Sequence, residues 1–229
     1  MMVKSLKIFS TKGFTLVELT VSLAIMLGIM GILLANYPET ATRLTLANNN
    51  RSIALLIREA QIRGSAIDSG NTEISIASES PLGGYGVYFD RDTAGSIILF
   101  GDTIDSLIPK PFGLAVGNGL YENGSPIDET KTITKLPRGY LISKLCLGTG
   151  SPLVFNCNNN NTPPINSITV SFTRPNPQPN IYINGGTPNT NFSVACIEVE
   201  SPKAPLAGHI RSVEVLNSGM IRAQVTGCE

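Results

Sequence analysis

The 229-residue chain has no tryptophan, a single histidine (His209) and only 15% charged side chains. One histidine excludes the zinc patterns that need two. The four cysteines, Cys146, Cys157, Cys196 and Cys228, form no C-x-x-C pair that would stand in for the missing ligands. A histidine-based hydrolytic triad has one base to draw on, and neither G-x-S-x-G nor H-E-x-x-H occurs. No metal, no cofactor and no enzymatic activity are therefore expected. A net charge of zero, from 17 basic and 17 acidic side chains, also argues against a generally basic nucleic-acid-binding protein. The chain is nonetheless 42% hydrophobic, and so little charge in so apolar a chain is the opposite of a disordered composition.

The zero conceals three compartments. Residues 1–13 carry Lys4, Lys7 and Lys12 and no acid, residues 14–37 carry only Glu18, and the remainder holds 14 basic and 16 acidic groups. As a helix, 14–37 reaches ~36 Å at ~1.5 Å per residue, enough to cross a hydrocarbon core of ~30 Å. The basic N-terminal flank predicts a single-pass anchor with a cytoplasmic N-terminus and an exported C-terminal part. Gly28 and Gly31, costly in a soluble helix, suit close helix packing in lipid. A secretory signal peptide fits less well: its apolar region is only ~7–15 residues long, and Ala35-Asn36-Tyr37 is a poor A-x-A cleavage site.

Glu18 is out of place in a simple anchor, since a carboxylate costs ~2.5–3.5 kcal/mol at a bilayer centre and less near an interface. Lys12-Gly13-Phe14-Thr15-Leu16-Val17-Glu18-Leu19, followed by the apolar run, resembles the N-terminal signature of type IV prepilins and type II secretion pseudopilins. The resemblance implies that a prepilin peptidase cuts between Gly13 and Phe14, removing the 1–13 leader, and methylates the new Phe14 amino group. It further implies that Glu18 guides assembly by pairing with the Phe14 ammonium of a neighbouring subunit. The other implied partners are pilin or pseudopilin subunits, the inner-membrane assembly platform, and membrane lipid before assembly.

Past Pro38, where a kink or break is expected, residues 39–64 read again as helix. Ile53, Leu56, Ile57 and Ala60 form one apolar stripe, and Gly64 is a candidate stop. Short β-rich runs follow: Glu73–Ala77, Gly86–Phe89, Ser96–Gly101, Thr132–Leu136, Tyr140–Cys146, Ser167–Thr173, Ile181–Ile183, Ser193–Glu200, Ile210–Leu216 and Ile221–Thr226. The last two flank a hairpin turn, Asn217–Met220. The expected fold is α+β, a long helix whose exported half packs on an antiparallel sheet, with residues 38–229 as the exported domain. Arg58-Glu59-Ala60, Gly86-Val87-Tyr88-Phe89, Ile97–Asp102 and the closing strand–turn–strand around Gly219 resemble minor pilins and pseudopilins of the GspH/FimT class. Residues 103–190 match only loosely.

Asn156–Pro164 and the proline-rich Arg174–Asn191 read as surface loops. The cysteines all lie in the exported part, where disulfides form. Of three possible pairings, Cys146–Cys157 across a local hairpin and Cys196–Cys228 between C-terminal strands are favoured. Asp90–Gly95 begins like a calcium loop but has Ala94 at a ligand position and Gly101 where the closing glutamate belongs, so it reads as a solvated turn. Gly117-Asn118-Gly119 lacks the third glycine of a dinucleotide loop, and His209 reads as a surface or strand-edge residue. The leading expectation is a structural minor subunit of a type IV pilus or type II secretion pseudopilus. A DNA-uptake pilin is the alternative, disfavoured because Arg222 alone offers a cation after Gly219. A membrane-tethered enzyme is disfavoured by the missing motifs.

Overall fold

The computed structural model describes residues 13–65, 84–93, 95–102, 118–123, 129–157, 164–173, 176–204, 206 and 208–228. The expected strand Glu73–Ala77, the leader lysines and Gly117 lie outside the described residues. The chain divides at Ala41/Thr42 into two compact units.

Helix α1, Leu16–Ser65, is assigned without interruption, so the break expected at Pro38 does not occur. Proline removes one N–H and crowds the preceding turn, but its fixed φ of about −65° is itself helical, so the chain can continue beyond it. Nearby, Asn36 Nδ2 and Thr40 Oγ1 donate to the carbonyls of Ile32 and Asn36 at 3.1 and 3.3 Å.

In the second unit α1 buries Leu46, Asn50, Ile53, Ile57, Ala60 and Gly64. Their alternating spacing of four and three residues marks one helix face, with Leu56 half-buried at its margin. Gly64 lies in the last described turn of the helix, which runs to Ser65, and packs closely: a Cβ at Gly64 would run into the Phe172 carbonyl. A larger residue here would push the helix off the strand below it.

Among the described residues ten strands form two antiparallel sheets, where a single sheet was expected. The first orders β3(Thr130–Lys135), β2(Ser96–Asp102), β1(Gly84–Asp90), β6(Ser167–Phe172) and β7(Pro179–Ile183). The second orders β10(Ile221–Gln224), β9(Ile210–Leu216), β8(Val194–Glu200), β4(Leu141–Thr149) and β5(Val154–Cys157). The chain changes sheet after β3, β5 and β7. Period-two alternation tells which side of a strand is apolar but carries no information about which strand it will pair with.

Val87, Phe89, Ile97, Leu99, Ile168 and Val170 of the first sheet share a core with Leu145, Leu147, Ile197, Val199, Val213 and Val215 of the second, and with the buried stripe of α1. Two polar clamps fix the helix to the β9–β10 hairpin. The buried Asn50 donates to the carbonyls of Ser212 and Gln224 at 3.0 and 3.1 Å. Gln61 donates to those of Pro177 and Gly219 at 3.0 and 2.9 Å. Backbone acceptors near the hairpin thus find donors on the helix that covers them.

Candidate functional site

The first unit carries the residues of the Lys12–Leu19 motif. Thr15 caps α1: its Oγ1 accepts the Glu18 N–H at 3.2 Å, and its carbonyl accepts Leu19 N–H at 3.1 Å. This makes Glu18 the third residue of the helix, where a carboxylate is favoured by the partial positive charge of the helix N-terminus. Thr15-x-x-Glu18 is a capping-box pattern, a signal present in the sequence that the reading of Glu18 as an assembly residue passes over. Ser22 Oγ donates to the Glu18 carbonyl at 2.7 Å. Gly13 and Phe14 precede the helix and are exposed, and a Cβ at Gly13 would meet nothing within 4 Å.

Every residue from Gly13 to Thr40 is exposed. Phe14, Leu16, Leu27, Leu34 and Tyr37 are each more than 60% accessible. An ordinary surface helix has one apolar stripe; this one is apolar around its whole circumference from Leu19 to Leu34, and it is long and apolar enough to span a membrane. At roughly 25 cal/mol per Å² of apolar surface, leaving it in water is strongly unfavourable, so it needs either lipid or neighbouring helices.

In the second unit the cysteines form two disulfides, Cys146–Cys157 and Cys196–Cys228, and none is free. Cys157, Cys146 and Cys196 lie in one row across β5, β4 and β8. All four cysteines pack together with Phe155, apart from the main core. β5, which no run of β-formers marks in Val154-Phe155-Asn156-Cys157, is tied to β4 through the first bridge. The second holds Cys228 beside Glu198, a buried carboxylate that accepts Cys228 N–H at 3.0 Å, Ser143 Oγ–H at 2.9 Å and an ion pair from Lys144 at 3.3 Å.

A second buried acid, Asp102, closes β2. Its Oδ2 accepts the Gly119 N–H at 2.8 Å, while its Oδ1 meets no hydrogen-bond partner among the described residues. Burial, together with the charges of Glu129 and Glu122, raises its pKa from 3.8 to about 7, against the opposing effect of the Gly119 hydrogen bond. Glu129, also fully buried, accepts Glu122 N–H at 3.0 Å. Nothing in the local sequence pattern marks these acids as buried.

His209 stands at the edge of β9, as one of the two expectations had it, but is buried and not on the surface. Its Nδ1 lies 2.8 Å from Ser201 Oγ, and Ser201 N–H donates to the His209 carbonyl at 3.0 Å. The Asp90 turn connects β1 and β2, with the Asp90 carboxylate accepting Asp92 N–H and Thr93 Oγ1–H. Among the described residues no group of three or more His, Cys, Asp or Glu side chains is placed to hold a metal ion. Comparison of the chain with protein families, with curated proteins and with solved structures finds no match.

Proposed function

We propose that the chain is a minor pilin or pseudopilin, made as a precursor and assembled through its N-terminal helix. The observation that carries this reading is the Phe14–Tyr37 segment, wholly exposed and apolar, with one carboxylate in its first turn directly after a Lys-Gly-Phe boundary. Prepilin peptidase would cut after Gly13 and methylate Phe14. The helix would rest in the cytoplasmic membrane, N-terminus inside and C-terminal domain exported, until the assembly platform moved it into a bundle of other subunits' helices. There the apolar surface gains neighbours in place of lipid.

Glu18 then has two roles that differ chemically. As the third residue of a helix capped by Thr15 it favours the first turn, where a capping-box partner is either glutamate or glutamine. As an assembly residue it supplies the negative charge that compensates a neighbour's Phe14 ammonium inside an apolar bundle, which glutamine cannot do. Glu18→Gln and Glu18→Ala are both expected to reach the membrane at normal levels yet fail to enter filaments sheared from cells. If both variants enter at the wild-type level, the assembly role is wrong. If Glu18→Gln enters and Glu18→Ala does not, the residue acts only as a cap.

A further inference from the structure

The outward side of the first sheet carries a cleft of ≈ 500 Å³. Its floor follows from the alternation of two paired strands. Val87 and Phe89 of β1 and Ile168 and Val170 of β6 turn into the core, so Tyr88 and its cross-strand partner Thr169 turn outwards. Asp90 and Ser167, paired at the end of the same two strands, complete the floor.

Two walls rise from this floor, each held by hydrogen bonds of its own. On one side stand Leu120, Tyr121 and Glu122. Asn118 Oδ1 accepts Leu120 N–H and Asn118 Nδ2 donates to Glu122 Oε1, both at 2.8 Å. The Tyr121 hydroxyl lies 2.7 Å from Thr130 Oγ1, and its ring centre 5.1 Å from that of Tyr88. On the other side stand Asn166 and Asn184. Asn184, at φ 50°, accepts the N–H groups of Asn166 and Ser167 at 2.8 and 3.0 Å and donates to the Pro164 carbonyl at 2.8 Å. The cleft is therefore preformed, which lowers the ordering cost of binding.

Three carboxylates line it, those of Asp90, Asp92 and Glu122. The Asp90 oxygens each accept one hydrogen bond from their own turn, and Glu122 accepts one from Asn118. None of the three is ion-paired among the described residues, and Arg91, exposed on the same turn, pairs with none of them. The undescribed stretches between the lining segments hold Asp105, Lys110, Asp128 and Arg174, so by sequence they add no net charge. The cleft also holds an unfilled group of another kind. Thr169 is only 2% exposed and lines the cleft, yet its hydroxyl has no hydrogen-bond partner among the described residues. Tyr88 and Tyr121 are half-buried, so both rings stay reachable from the cleft. Burial and then the charge of Asp90 raise the Tyr88 pKa above its ordinary value, so the carboxylate field reaches this ring.

We propose that this cleft binds an arginine side chain presented by a partner protein. A guanidinium carries five donors in a planar fork, pairs with carboxylates two bonds at a time, and lies well against aromatic rings. The Thr169 hydroxyl oxygen offers a further acceptor at the floor. Leu120 gives the aliphatic stem an apolar neighbour. A metal ion is served poorly, because the acids are spread around the rings and form no group placed to hold one among the described residues. An anionic ligand would meet three like charges. The assignment stands apart from the pilin reading.

The test uses the full chain, isotope-labelled, in detergent micelles with its disulfides intact. Its amide resonances are followed as blocked tripeptides are added whose central residue is arginine, lysine or citrulline, the uncharged counterpart of arginine. Spermidine and calcium chloride are titrated in parallel. The arginine peptide should shift amides within 88–92, 120–122, 166–169 and 184–185, with a dissociation constant of about 1 mM or tighter. The lysine peptide should bind at least about threefold more weakly, and the citrulline peptide not at all. Affinity for arginine should fall severalfold between about 0.05 and 0.5 M salt. Asp92→Asn and Glu122→Gln keep the shape and remove a charge; each should weaken binding at least about threefold while leaving the thermal midpoint in place. No shift at about 20 mM arginine peptide would overturn the assignment. So would equal binding of citrulline, tighter binding of spermidine or calcium, or unchanged affinity in both variants.

Discussion

Replacing Asp102 with asparagine should stabilise the protein, and only above mildly acidic pH. The carboxyl is buried at the end of β2, with one oxygen on Gly119 N–H and no partner for the other among the described residues. Its pKa rises from 3.8 to about 7 on folding, because burial and the nearby Glu129 and Glu122 oppose ionisation. A folded value above the unfolded one means that the native state binds the extra proton between the two. Stability contributed by this group is therefore complete below about pH 4, falls as pH rises towards 7, and stays low above that. At ~1.4 kcal/mol per pKa unit, the whole effect is roughly 2–4 kcal/mol, taking the upper figure as a bound. Asparagine keeps the acceptor for Gly119 N–H and has no charge to desolvate. Asp102→Asn should thus match wild type at pH 4 and exceed it at pH 8 by that amount. For a domain of this size that corresponds to roughly 4–15 °C in midpoint. Urea unfolding of both proteins at pH 4, 6 and 8, taken as the difference between them, removes the contribution of titrating groups that do not interact with Asp102, and leaves that of Asp102 together with its coupling to Glu129 and Glu122. A pH-independent difference, or a variant less stable at pH 8, would refute the reasoning about the buried charge.

Other substitutions probe the packing. Asn50→Ala should cost about 2–4 kcal/mol by urea unfolding, because it breaks two buried hydrogen bonds and strands the carbonyls of Ser212 and Gln224. The exposed Asn48→Ala should change stability by less than ~0.5 kcal/mol. Gly64→Ala improves helix propensity yet should destabilise by about 1–3 kcal/mol, since the new methyl meets the Phe172 carbonyl; a stabilised variant would show that helix and strand part easily. Cys228→Ser should free the C-terminal segment that Glu198 and the second disulfide hold, seen as faster amide exchange at 225–228, while β4–β5 exchange stays as it was.

The parts of the fold legible in the sequence are those that depend on local pattern. The stripe through Ile53, Ile57 and Ala60 faces the core, and the short apolar runs within Ser96–Asp102 and Ile210–Leu216 mark them as strands. What escapes that pattern depends on distant partners. Asp102, Glu129 and Glu198 look like any surface acids until a loop or the C-terminal segment closes over them. His209 lies beside a glycine, as a turn residue would, yet it is buried with its Nδ1 on Ser201 Oγ. β5 has too few β-formers to announce itself, and division into two sheets is a matter of pairing, not periodicity. Around Glu18 the position is reversed. The capping pattern Thr15-x-x-Glu18 is local and readable, whereas any pairing with another subunit involves a second chain.

Intact-mass measurement of the protein extracted from its native membrane bears most directly on the account. A chain running from Phe14 to the C-terminus, one methyl group heavier than the unmodified sequence 14–229, is the predicted result. A chain still beginning at Met1 or Met2, or one cut near residue 37 with the apolar helix lost, would contradict it.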